Sequence, residues 1–163
     1  MEIRRARYND LDDIEAVARW ACAAAIGELV PETAVSGCAQ KRFRRALLSE
    51  HMLAQRLLVG QSENGQIELV VLIDEYLDHT ELATVVVPAH PSRTIDGRGL
   101  VTTLRTMGWL GALRSSVALG DVAGEHFHET AGFAPGDAVV EEIGGYSIVR
   151  REWWLDPALS ATG

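Results

Sequence analysis

The chain is 163 residues long, 47% hydrophobic and 23% charged, with a formal net charge of −8. That length suits one hydrophobic core, and the composition is that of an ordinary globular protein. The acidic balance argues against nucleic acid as a partner, because affinity for a phosphate backbone needs a basic surface, and it is compatible with a cationic amine.

No stretch approaches the roughly 18 consecutive apolar residues of a membrane span, and the charged N-terminus does not read as a signal peptide. No membrane partner and a cytoplasmic location are therefore expected. Cys22 and Cys38 lack Cys-x-x-Cys spacing and fall in helical sequence, which predicts reduced, structural thiols and no metal site.

In chain order, residues 2–7 alternate as a first strand, and Asn9 or Asp10 is placed to cap a helix. Leu11, Ile14, Val17, Ala18, Ala21, Cys22 and Ala25 recur at three and four, with Gly27 placed to end the helix. Residues 31–55 form a second, less regular helical region whose apolar positions include Phe43, Leu48 and Met52. The basic cluster Lys41-Arg42 and Arg44-Arg45 reads as a solvated helix face. Leu57-Leu58-Val59 and residues 67–73 then flank Ser62-Glu63-Asn64-Gly65, a strong hairpin signal. Polar residues 74–80 turn the chain into the β-branched strand Leu82-Ala83-Thr84-Val85-Val86-Val87, which Pro88 and Pro91 end.

The stretch 81–133 is the unit around which the chain is organised. A loop carrying Arg93, Gly97, Arg98 and Gly99 leads into a predicted helix over 100–113, with Leu100, Leu104, Met107, Leu110 and Ala112 on one face. Exposed amides at such a terminus, with arginines beside them, form a site for phosphate or pyrophosphate. A P-loop is excluded, since no lysine follows these glycines and the chain's single lysine is Lys41. A dinucleotide fingerprint fails because Thr102 stands where a third glycine is required.

Beyond this loop, Ser116-Val117-Ala118-Leu119 reads as a short strand. Gly136 and Asp137 start another through Val139, Val140 and Ile143, and Gly144-Gly145 turns into a last strand over 146–154. Residues 1–155 are expected to form one domain and 156–163 a frayed tail. Trp153 and Trp154 should point to opposite faces, one buried and one exposed; the exposed ring, with Trp20 or Trp109, suits a homodimer surface.

Gly124-Glu125-His126-Phe127-His128-Glu129-Thr130-Ala131-Gly132-Phe133, following the short strand, resembles the final signature of the GNAT superfamily of acyl-CoA-dependent N-acyltransferases. There a short helix ends in an aromatic pair, three residues and Gly-Phe. The resemblance runs from the first strand to the last. It implies an α/β fold of α+β type: a GNAT-like mixed, mostly antiparallel sheet of six to seven strands flanked by about four helices. It also implies acetyl-CoA or another acyl-CoA as co-substrate and a small amine-containing metabolite as acceptor. The alternative is a protein of the same fold that binds or sequesters a ligand without acyl transfer.

Carried over residue by residue, the resemblance puts Val85, Val86 and Val87 on the strand whose backbone holds the pantetheine arm in the family. That strand runs there into Gln/Arg-x-x-Gly-x-Gly/Ala. Two alignments compete here: Thr94 leading with Gly97 and Gly99 as the glycines, or Asp96 leading with Gly99 first and Val101 at the small-residue position. In either case the leading Gln/Arg is missing unless Arg93 moves in to replace it. The candidate pyrophosphate residues are therefore Arg93, Gly97, Arg98, Gly99, Leu100 and Val101. His128 stands where the family keeps a tyrosine general acid, and Asp121 where it keeps a cofactor-binding asparagine. Glu81, at the head of the strand, leads the candidates for general base, with Asp74, Glu75 and His79 behind it.

Overall fold

The computed structural model describes residues 1–88, 90 and 94–158. The elements are β1 Glu2–Arg5, α1 Leu11–Ile26, α2 Glu32–Phe43, α3 Arg45–Leu53, β2 Leu57–Gln61, β3 Ile67–Glu75, β4 Thr80–Val86, α4 Arg98–Thr106, β5 Leu113–Ala118, α5 Val122–Ala131, β6 Ala134–Ile143 and β7 Tyr146–Leu155. The strands form one seven-stranded sheet in the order β1-β2-β3-β4-β5-β7-β6. Every pairing is antiparallel except β4 with β5. This is the mixed, mostly antiparallel sheet that the resemblance implies.

β3 is buried from Ile67 to Ile73 without alternation, because helices cover both of its faces. Leu69, Val71 and Ile73 join Leu100 and Leu104 of α4 and Phe127 of α5 in one core cluster. Val70 and Leu72 join Leu11, Ile14 and Ala18 of α1 and Leu48 of α3 in a second. β4 divides likewise: Leu82 and Val86 face α4 and α5, and Val85 faces α1. A third cluster ties α1 and α2 to β5 and the last hairpin through Cys22, Cys38, Ala118 and Ile148.

Two helical expectations change. The second helical region is two helices, broken at Arg44, whose φ of −67° and ψ of 150° are extended. The helix after the glycine loop ends at Thr106, and Gly108 at φ +103° turns the chain. Leu110 and Ala112 thus lie outside it, and Leu113 begins β5. The apolar spacing runs on because turn and strand are apolar too.

Trp153 is buried, as one of the pair was expected to be. Trp154 is half-buried rather than exposed, since the Arg114 guanidinium lies 5.6 Å from its ring centroid and His79 packs at 5.6 Å. Neither cysteine forms a disulfide. Among the described residues, no helix is long and apolar enough to cross a membrane.

Candidate functional site

The parallel pair β4 and β5 meets only at its start, Thr80 with Leu113, Glu81 with Arg114 and Leu82 with Ser115. Beyond Leu82 the two strands part, while β4 stays paired to β3 as far as Val86. The direction of the main chain follows from two bonds at the ends of the strand. Thr80 N–H donates to Ala112 O on the β5 side at 2.8 Å, and Val87 N–H donates to Glu68 O on the β3 side at 3.0 Å. Alternation then turns the peptide groups of Thr84 and Val86 into the opening, and those of Val85 and Val87 toward β3. A strand holding out main-chain donors and acceptors at a splayed edge can take up an extended, amide-bearing ligand by hydrogen bonds alone.

At the top of the opening the glycine loop reaches α4. Gly97 is set by packing against α5: a Cβ there would lie 2.3 Å from Phe127 O and 2.6 Å from Ala131 Cβ. Its N–H donates to Thr130 Oγ1 at 2.8 Å, and Arg98 N–H donates to Asp96 Oδ1 at 3.2 Å. Gly99 and the Arg98 side chain are exposed. A depression of about 210 Å³ opens beside them, lined by Thr94, Ile95, Asp96 and Gly99 among others. Leu100 is fully buried in the core and Val101 is packed against it. Arg93 lies outside the described residues. A roomier cavity of about 610 Å³, between α1 and the β2–β3 turn, shares only Val87 with the candidate residues that are described.

His128 sits on α5 with its ring 1% exposed. Its Nδ1–H donates to Gly124 O at 2.7 Å, so Nε2 is the acceptor for the Ser115 hydroxyl at 2.8 Å; Thr84 Oγ1 lies 3.3 Å from the same nitrogen. Burial pushes this imidazole down to about 4. Asp121 caps α5, accepting Gly124 N–H at 3.1 Å, and burial holds its carboxyl above the ordinary carboxylate value. Glu81 is tied down at the closed end of the β4/β5 pair: Arg114 Nε donates to it at 2.6 Å and His79 Nε2 lies 3.2 Å away, while Arg114 also reaches Glu152 at 3.1 Å.

On the α1 and α2 side of the opening lies a small cavity of about 40 Å³. Its walls include Thr84, Val85 and Val86 of β4, Cys22 and Cys38, and the guanidinium-bearing Arg42 and Arg150. Sequence reasoning did not select either arginine. The signal for Arg42 was its spacing four residues after Cys38, which puts both on the inner face of α2. Arg150 offered no such signal, because its partners come from β5 and β6.

No family model and no curated relative matches the chain. Solved structures do match. PaiA N-acetyltransferase from Thermoplasma acidophilum in complex with coenzyme A is 17% identical, with 92% of this chain and 96% of that one covered at a TM-score of 0.66. YncA from Salmonella typhimurium, a putative acetyltransferase with its cofactor acetyl-CoA, is 18% identical over 98% and 95% at 0.63. A GNAT-family acetyltransferase from Bacillus cereus is 15% identical over 96% of each chain at 0.61. The chain has the fold of these acetyltransferases, the GNAT-family one among them.

Proposed function

We propose that the protein is an acyl-CoA-dependent N-acyltransferase acting on a small amine. The observation that carries this reading is the parting of β4 from β5 after Leu82, which leaves the Thr84 and Val86 peptide groups directed into the opening. Acyl-CoA, most simply acetyl-CoA, would supply the thioester. The Val86 N–H is aimed to receive the oxyanion that develops on its carbonyl. The C–N bond forms as the C–S bond breaks, and the proton lost by the amine balances the charge on the departing thiolate. Glu81 faces the same cleft as Lys41 and Arg42, so it can take that proton through water.

In this reading His128 is a positioning residue. Its imidazole is neutral, with one nitrogen on a carbonyl and the other on Ser115, and it fixes α5 against β4 and β5. The thiolate leaves without a protein acid. At α4 the fit to a pyrophosphate is partial: Gly99 and Arg98 are available, but the Gly97 amide serves Thr130 and a carboxylate caps Arg98. Asp96 is thus the observation favouring a second reading, a GNAT-fold protein that binds a ligand without transfer.

Calorimetric titration with acetyl-CoA, followed by measurement of CoA thiol release across an amine panel, separates the two. Binding with amine-dependent release is the expected result. Binding without release for any amine overturns acyl transfer, and so does absence of binding, which is the outcome that Asp96 and the second reading favour.

A further inference from the structure

The geometry points to an anion subsite in the acceptor cleft, formed by Arg42 of α2 and Arg150 of β7, that selects amines carrying their own carboxylate. The inference rests on the acyl-transfer reading for the identity of the cleft. Both arginines line the cavity that abuts Thr84, Val85 and Val86, the segment at which the amine must arrive. Arg42 also lines the neighbouring cavity of about 260 Å³ that contains Asp74 and Glu81. One wall of the cleft is therefore basic, and carboxylates lie further along it.

The two guanidiniums on that wall lean on one carboxylate. Glu141 accepts Arg42 Nη2 at 2.8 Å, with Lys41 Nζ at 3.3 Å and Arg150 Nε at 3.4 Å, so one carboxylate serves three cations. Burial raises the Glu141 carboxyl, but Arg42, Arg150 and Lys41 outweigh it and hold the group below the ordinary carboxylate range. Asp121 also lines the cavity, yet its carboxylate is engaged with Gly124 N–H. The cation beyond these two acids is Lys41, which is exposed and lies outside the cavity wall; within the wall Arg42 and Arg150 share one bonded carboxylate, Glu141, and Asp121 is bonded to neither.

Arg150 is bound to the sheet through Ser116 O at 3.1 Å and Ser116 Oγ at 3.2 Å. Burial, and then repulsion by Arg42, pull it below its ordinary value. Cys38 responds to the same field. A hydrogen bond with Cys22 lowers its thiol first, and Arg150 and Arg42 lower it further.

Two guanidiniums that share a single bonded carboxylate in a partly dry cavity keep donors for an anion that bonds to both. The space is the size of a carboxylate group rather than a ring, being close to the roughly 30 Å³ that one water occupies in the liquid. An amino acid fits this arrangement because its amine is joined to its carboxylate through one carbon. Holding the acid on Arg42 and Arg150 would keep the nitrogen beside β4.

The test offers the proteinogenic amino acids beside their carboxamides, with acetyl-CoA, and reads CoA release. The carboxylate forms should be preferred in kcat/KM by about 10- to 100-fold, as expected for a charge-assisted hydrogen bond. Arg42→Gln should cut that preference at least about tenfold, whereas Arg45→Gln, a neighbour that pairs with Asp12 and Glu15 instead, should keep it. Equal use of acids and carboxamides, or loss of preference in both variants alike, overturns the subsite.

If no amine is acylated, the same pairs are titrated calorimetrically without acyl-CoA. Binding of an amino acid that Arg42→Gln weakens supports the subsite although the transfer reading has failed. Absence of binding by every amino acid overturns the subsite, while a positive acetyl-CoA titration would leave acyl-CoA binding in place.

Discussion

An imidazole 1% exposed between the Gly124 carbonyl and the Ser115 hydroxyl gains a proton at the cost of burying a charge away from water, and that burial outweighs the Gly124 carbonyl, which favours the charged ring. His128 therefore titrates near 4 in the folded chain against an ordinary value of 6.5. Between those values the unfolded chain binds more protons, so stability rises with pH across that window and is lost as pH falls through it. The full effect is about 3 kcal/mol, since each tenfold loss of proton affinity on folding corresponds to about 1.36 kcal/mol. Urea unfolding at pH 7 and at pH 4 should show His128→Gln losing less stability on acidification than the parent does. On the proposed reading the same variant keeps CoA release within a few-fold, provided that it folds. A collapse of about 10²–10⁴ in turnover at undiminished acetyl-CoA affinity would instead make His128 the acid. Asp96 offers a second test at this scale. Its carboxylate caps Arg98 N–H where an anion would bind, so Asp96→Ala should tighten acetyl-CoA binding by about 1–2 kcal/mol in a calorimetric titration.

The two glycines of the loop, which look equivalent in the sequence, do different work where α4 meets α5. Gly97 has φ −96°, open to any residue, so its requirement is space alone. Alanine there would drive a methyl against Phe127 O, which belongs to helix backbone and cannot step aside. Gly97→Ala should cost about 1–3 kcal/mol, as overpacking does. Gly99→Ala meets only Ile3 Cδ1 at 3.8 Å and should stabilise by about 0.4–1 kcal/mol through a less flexible unfolded chain. Thermal unfolding of the two variants should shift in opposite directions; parallel shifts would remove the packing argument. The same contrast explains what is legible in the sequence. The period of α1, the Asn64-Gly65 hairpin and the Gly144-Gly145 turn depend on neighbours a few residues away, and each can be read. The break at Arg44 and the end of α4 at Thr106 lie in stretches whose apolar spacing continues past them, so hydrophobic pattern alone overruns both. Gly97 reads as a phosphate glycine in the sequence because its true neighbour, Phe127, is brought to it only by the fold.

Across the whole molecule the sheet is two antiparallel blocks, β1 to β4 and β5 to β7, joined by a short parallel contact. That layout is implied by the strand order and the Gly-Phe ending. The basic wall of the cleft is not, because Arg42, Glu141 and Arg150 come from α2, β6 and β7 and meet only when the last hairpin closes against α2. The split of the sheet has a consequence that amide exchange can read directly. Val85 and Val87 direct their N–H groups toward β3, where Val87 is bonded to Glu68 O, so both should exchange slowly with or without ligand. Thr84 and Val86 lie on the same strand but direct theirs away from β3, beyond the last β4–β5 pair. Val86 is as buried as Val85 and Val87, so its rate against theirs reports hydrogen bonding rather than access, while Thr84 is half-buried and adds exposure to the same effect. In the free protein Thr84 and Val86 should exchange well ahead of Val85 and Val87. Saturation with acetyl-CoA should slow Val86 most, because its N–H is the donor aimed at the thioester carbonyl. Equal rates at all four positions in the free protein would mean that the strands do not part in solution. Slowing confined to the Gly97–Val101 stretch would leave acetyl-CoA on α4 alone, with β4 a plain core strand.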